Sequence, residues 1–160
     1  MEKDKKTNAM RMLERAKIAY QTHHYECGDG NIDGVSVAQK LGQAVETVFK
    51  TLVTKGAGGD YYVFVIPVHK ELDRKAAAKS VGEKTIELIR VDEINKVTGY
   101  IRGGCSPVGM KKQYRTVMDV SCEGLSQMVV SGGKIGIQVE LTPADLIAVT
   151  HATTAAITAE

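Results

Sequence analysis

The run YYVFVIPV, Tyr61–Val68, limits what this chain can fold into more than any other stretch. It is β-branched and aromatic, carries no charge and does not alternate, which is the pattern of a strand covered on both faces. Its length is far too short to cross a bilayer. FKTLVT lies just upstream with similar character, and GAGGD separates the two. They read as a hairpin whose second strand is central. A strand covered on both sides needs a layer on each, and 160 residues suffice for one such domain, 1–160. With two Phe, six Tyr and no Trp, the core must be aliphatic.

The elements around that hairpin follow from period and punctuation. A helix is expected over about Asn8–Thr22, with Ala9, Leu13, Ala16 and Tyr20 on one face. HHYEC starts a strand, and CGDGNIDG must be a loop. GVSVAQKLG reads as a short helix closed by Gly42, followed by a half-turn around Val45–Val48. LDRKAAAKSVG is a helix with Asp73 as N-cap and Gly82 past its end. TIELI is a strand, and VDEINKVTG a helix stopped by Gly99. RTVMDVS, QMVVSG and GKIGIQVEL are three further strands. TPADLIAVT opens a helix with Thr142 as N-cap, Pro143 in its first turn and Asp145 in capping-box register. Strands and helices mix without regular βαβ alternation, so the fold class is α+β, with a mixed, mostly antiparallel sheet curled toward a barrel.

Charge and cysteine content exclude some functions. The net charge of +2 is too small for the whole surface to bind a polyanion, so any nucleic-acid contact must come from a local basic patch. The N-terminal MEKDKKTNAMRMLERAK has no apolar h-region of a secretory leader. Cys27, Cys105 and Cys122 are odd in number and lack metal-type spacing, which fits a reduced, cytoplasmic setting. No HxH, HExxH or GxGxxG appears, so neither metal nor cofactor is expected.

The stretch YIRGGCSPVGMKKQ, Tyr100–Gln113, concentrates the chemistry. Cys105 as a nucleophile would need a base; no His lies near it in sequence, though His69 or His151 could approach in space. A small semi-buried loop residue is the plainer reading. Glycines leave no side chain between backbone amides and a ligand, so Gly103 and Gly104 with Ser106 could form a donor site for a carboxylate, phosphate or ester carbonyl. A rigid turn fixed by Pro107 explains the same residues. Lys50, in FKTLVT, is either an outward strand residue or a cation held against the core for an acyl or phosphate group. Arg102, Lys111, Lys112 and Lys134 could rim a nucleic-acid backbone, or be ordinary solvated charge.

Taken in order and spacing, FKTLV, YIRGGCSPVGMKK, VVSGGKIGIQVEL and TPADL resemble the YbaK/EbsC family. These are free-standing aminoacyl-tRNA deacylases related to the editing domain of bacterial prolyl-tRNA synthetases. The resemblance spans nearly the whole chain. It implies a pocket between the lysine strand and the GGxSPxG loop, and release of cysteine from mischarged Cys-tRNA(Pro), with Cys-tRNA(Cys) a second substrate. By this likeness Lys50 matches the essential lysine, and Gly103, Gly104 and Ser106 position the ester. Tyr25, Thr51, Pro107, Gly109 and Gln138 match pocket positions. The implied reaction is attack of the substrate's own thiol on its ester carbonyl, so orientation supplies the rate. Two departures stand out: Gln138 where the pattern has Asp, and Ile32 or Asp33 where it has an aromatic. The resemblance also implies tRNA as partner, with a complex with prolyl-tRNA synthetase in view. Two other functions compete: an editing hydrolase of Ala-tRNA(Pro) type using water, and a module that only binds tRNA 3′ ends. Duplex DNA is not expected, since no helix-turn-helix, zinc finger or basic helix is present.

Overall fold

A computed structural model describes residues 6–30 and 32–159 of the chain. Positions 1–5 of the N-terminal stretch read above as no secretory leader lie outside the described residues, as do Asn31 of the CGDGNIDG loop and residue 160. In chain order the helices are α1 (Asn8–Arg15), α2 (Gly34–Leu41), α3 (Arg74–Ser80), α4 (Val91–Thr98) and α5 (Pro143–Thr150). The strands are β1 (Gln21–His24), β2 (Phe49–Gly56), β3 (Tyr61–Pro67), β4 (Glu71–Leu72), β5 (Ile86–Leu88), β6 (Arg115–Asp119), β7 (Met128–Lys134), β8 (Ile137–Leu141), β9 (Thr153–Ala155) and β10 (Thr158–Ala159). Among the described residues no helix is long and apolar enough to cross a membrane.

β3 is the centre of a mixed five-stranded sheet in the order β5-β2-β3-β6-β9. It pairs antiparallel with β2, Phe49 opposite Pro67 and Lys55 opposite Tyr61, and parallel with β6. Side-chain alternation along it divides the core. Val63 and Val65 join Leu13, Met118, Leu141 and Leu146 on one face, while Tyr62, Phe64 and Ile66 join Ala77, Ala78 and Ile157 on the other. Phe64 and Ile66 are fully buried, worth about 1.5–3 kcal/mol apiece. The doubly covered strand is therefore present where its composition required it. A second sheet, β1-β8-β7, is antiparallel, and a parallel bridge between Val48 and Val129 joins it to the first. Neither sheet closes into a barrel.

The helix ends at Asp73, Thr142, Gly42 and Gly99 agree with the sequence reading, and Asp33 is a cap that it did not name. Asp33, Asp73 and Thr142 each accept a backbone N–H at the start of α2, α3 and α5, and Gly42 and Gly99 end α2 and α4 in the left-handed region. One boundary does not agree. α1 stops at Arg15 rather than near Thr22, because Lys17 takes φ 59° and Ile18 N–H bonds back to the Leu13 carbonyl. This is a Schellman-type stop without glycine. Tyr20, which fits the helical period, packs from extended chain instead, and its hydroxyl donates to Glu14 at 2.6 Å. β1 consequently starts at Gln21, before HHYEC. β6 ends at Asp119, whose carboxylate caps a 3-10 turn, so RTVMDVS is extended only in part. The short C-terminal strands β9 and β10 have no counterpart in the sequence reading.

Candidate active site

A cavity of about 310 Å³ opens where the start of β2, the N-terminus of α2, the glycine-rich loop and the β7–β8 hairpin meet. Its volume suits a small-molecule end group rather than a macromolecular groove. Val48, Phe49, Val68 and Val130 give it an apolar floor. Six of the site residues expected from the sequence line it, Tyr25, Lys50, Thr51, Arg102, Gly103 and Gln138, as do Ile32, Asp33 and Cys105, which were weighed there too. Residues as far apart in the chain as Tyr25 and Gln138 thus reach one cavity, and Lys50 joins Gln138 there because β2 and β8 belong to sheets that converge at the Val48–Val129 bridge.

The remaining loop residues lie beneath that wall. Ser106, Pro107 and Gly109 are buried, as is Gly104, and none of them lines the cavity. Ser106 is fully buried, and its Oγ accepts the Val108 N–H at 3.2 Å, so it shapes the turn. Tyr100 donates its hydroxyl to the Val108 carbonyl at 2.6 Å, and Asn8 Nδ2 donates to the Gly109 carbonyl at 2.8 Å. These bonds tie the loop to α1 and to the end of α4. Gly103 takes φ 86°, closed to most side chains, and an added Cβ would meet Ile32 at 3.0 Å. At Gly104 a Cβ would come within 2.9 Å of the Ile135 backbone nitrogen. The Gly104 N–H bonds to the Ile101 carbonyl. Among the described residues the N–H groups of Gly103 and Cys105 have no acceptor, and both residues line the cavity. The loop is therefore a rigid turn, and among the described residues the backbone donors it leaves unspent include those of Gly103 and Cys105, not that of Gly104.

Cys105 lines the cavity but is not poised as a nucleophile. Burial pushes its thiol up to about 11, and its hydrogen-bonding contact with Thr98 only partly offsets that. Neither His69 nor His151 lines the cavity. The charged lining consists of Lys50, Arg102 and Asp33, with Asp33 bound at both oxygens to Ser36. Those bonds hold its carboxyl below the usual range. Among the described residues no group of three or more His, Cys, Asp or Glu side chains converges as a metal site. Of the supposed basic rim, Arg102 is at the cavity, Lys112 and Lys134 are exposed, and Lys111 folds back to donate to the Lys96 carbonyl at 3.2 Å.

Ser131 is a lining residue that the sequence did not single out. It sits opposite Gln138 in the β7–β8 pairing, and His23 flanks Gln138 on the other side. Pairing QMVVSG with GKIGIQVEL across their glycines would have found it. Thr51 contributes an Oγ1 that is buried and has no partner.

The aminoacyl-tRNA editing domain model matches residues 33–149. A protein of Enterococcus faecalis with the provisional name Cys-tRNA(Pro)/Cys-tRNA(Cys) deacylase EbsC is 42% identical over 153 residues, covering 96% of this chain and 93% of its own. A proline–tRNA ligase of Fervidobacterium nodosum is 30% identical over 96 residues, 60% of this chain but only 16% of the ligase. Among solved structures, one provisionally described as a trans-editing enzyme for prolyl-tRNA synthetase superposes with a TM-score of 0.85 over 96% of both chains. At 24% identity that likeness speaks to the fold alone.

Proposed function

Because the chain belongs to the aminoacyl-tRNA editing domain family, we propose that it is a cytoplasmic deacylase that removes cysteine from mischarged Cys-tRNA(Pro). The observation that carries this reading is a cavity with donors and cations but, among the described residues, no prepared nucleophile. Lys50, Arg102, Gly103 and Cys105 line it, the N–H groups of the last two have no acceptor among the described residues, and burial holds the Cys105 thiol protonated. Such a site can polarise an ester carbonyl and favour a thiolate brought by the substrate. It offers no triad of its own.

The reaction follows from that inventory. The aminoacyl ester enters with its carbonyl oxygen toward the donors. The substrate sulfur loses its proton and bonds to its own carbonyl carbon. The carbon–oxygen bond to the tRNA 3′ end breaks, the proton passes to the departing ribose oxygen, and a cyclic thiolactone remains to be hydrolysed by water. The protein supplies alignment and charge, and alignment can be worth about 7–11 kcal/mol when a near-attack geometry is held. Ser106 acts here as a positioning residue through its turn. Pro107 and Gly109 do the same, whereas Tyr25, Thr51 and Gln138 border the acyl group. Arg102, Lys112 and Lys134 would meet tRNA phosphates, and prolyl-tRNA synthetase is the partner that would present the substrate.

The test is a deacylation panel: tRNA(Pro) charged with cysteine, alanine or proline, offered to the wild type and to Lys50→Ala. Cysteine should be released preferentially, and Lys50→Ala should slow that release by roughly 10²–10³-fold, the loss seen for a donor aimed at a developing oxyanion. Release of alanine as fast as cysteine would favour water as nucleophile. Binding without turnover in either protein would leave only a tRNA-end module.

A further inference from the structure

Gln43 lies outside the cavity, in the residue after the left-handed Gly42 that ends α2. Its backbone is fixed there, since its N–H bonds to the Ala38 carbonyl at 2.9 Å. From this anchor its Nε2 donates to Oε1 of Gln138 at 2.8 Å. Gln138 is only 5% exposed, occupies the central strand of the β1-β8-β7 sheet and lines the cavity. That single bond occupies the carbonyl of the Gln138 amide. Among the described residues its Nε2 has no partner.

The opposite arrangement, with both amides turned over, is disfavoured on physical grounds. Gln43 Oε1 is buried and unpaired as it stands. Turning the amide would put an NH₂ group with two unmet donors in that place, and buried orphan N–H groups are rarer than under-satisfied carbonyls. Among the described residues no side chain other than Gln43 bonds to the Gln138 amide: Ser131 Oγ accepts the Gly133 N–H, and His23 is paired with Glu140. Gln43 is left as the residue that sets its polarity.

We propose that Gln43 is a positioning residue that turns Gln138 into a hydrogen-bond donor for the acyl carbonyl oxygen of the substrate, rather than an acceptor for its α-ammonium group. This rests on the deacylase reading above, and it adds a third kind of donor to Lys50 and the loop amides. It also gives a physical meaning to glutamine at this position. A carboxylate here would attract the ammonium, whereas a pinned amide presents N–H groups and no charge.

The discriminating variant is Gln43→Glu. A carboxylate has no N–H to give, so Gln138 must turn, donating to the introduced carboxylate and facing the cavity with its oxygen. Two readouts are taken on the full chain. The first is independent of catalysis: the side-chain ¹⁵NH₂ signal of Gln138, identified by its loss in Gln138→Glu, followed on addition of L-cysteine methyl ester. In the wild type it should shift with the ester; in Gln43→Glu it should exchange more slowly and no longer respond. The second is single-turnover and steady-state deacylation of Cys-tRNA(Pro), where kcat should fall roughly 10²-fold in Gln43→Glu with KM nearly unchanged. Gln43→Met, which removes the pin without supplying an acceptor, should give a smaller loss and guards against a fold defect in the charged variant. A Gln138 signal indifferent to the ester in the wild type, or unaltered by Gln43→Glu, overturns the proposal. So does a loss confined to KM. If the ester response is as expected but no charged tRNA is turned over by the wild type, the polarity of Gln138 stands and the deacylase reading falls.

Discussion

Replacing Gly104 by alanine tests how closely the glycine-rich loop must sit on the β7–β8 hairpin. The added Cβ would lie 2.9 Å from the Ile135 nitrogen, 3.0 Å from the Lys134 carbonyl carbon and 3.1 Å from the Lys134 Cα. All three are backbone atoms, so no flexible side-chain end can swing away. Reaching an ordinary contact requires the loop and hairpin to part by about half an ångström. Overpacking of this kind costs about 1–3 kcal/mol, which for a chain of this size lowers Tm by roughly 2–12 °C. Activity should suffer more than stability. The neighbouring Gly103 and Cys105 line the cavity, and misplacing reacting groups by about 1 Å can cost on the order of 10²-fold in rate. Gly124→Ala is the control, because nothing lies within 4 Å of its Cβ position. The assay is thermal unfolding of both variants beside single-turnover deacylation of Cys-tRNA(Pro). Gly104→Ala with wild-type Tm and wild-type rate would refute the claim that backbone contact between loop and hairpin builds the site.

Other outcomes follow from single contacts. Tyr100→Phe removes a buried 2.6 Å bond to the Val108 carbonyl and should cost about 1–3 kcal/mol in urea unfolding, since it strands that acceptor. The thiols of Cys105 and Cys122 are both raised by burial from 9.0 to about 11. The folded state thus prefers them protonated, so their contribution to stability is full below pH 9 and lost as pH rises through 11. Cys105→Ala together with Cys122→Ala should flatten the alkaline limb of the stability curve. At neutral pH iodoacetamide should modify the exposed Cys27 well before Cys105 in mass-spectrometric mapping. Lys112→Ala and Lys134→Ala should each reduce the slope of log affinity for tRNA against log salt by roughly one unit, and unchanged slopes would remove them from the tRNA surface.

Much of the architecture was legible because it rests on local rules. YYVFVIPV has one comfortable environment, and the caps at Asp73, Thr142, Gly42 and Gly99 each follow from a side chain or a conformation available nearby. α1 was overextended because Tyr20 kept the helical period while Lys17, a residue with no such preference, took the left-handed position that ends the helix. At the site, Lys50, Thr51 and Gln138 could be named by likeness, and their convergence on one cavity depends on a bridge between two sheets that no local pattern encodes. The GGxSPxG stretch was readable as special, but not its division of labour. Gly103 and Cys105 reach the cavity while Ser106 and Gly104 support it from below, which depends on the direction of each turn. Gln43 carried no signal in sequence at all. The role proposed for it rests on one hydrogen bond across 95 residues.

The measurement closest to the centre of this account compares release from Cys-tRNA(Pro) with release from the same tRNA carrying S-methylcysteine, under single-turnover conditions. If the substrate's sulfur is the nucleophile, methylation should abolish enzymatic release while leaving binding intact. Equal rates for the two charged tRNAs would mean that water does the work, and that the cavity's donors serve a hydrolysis instead.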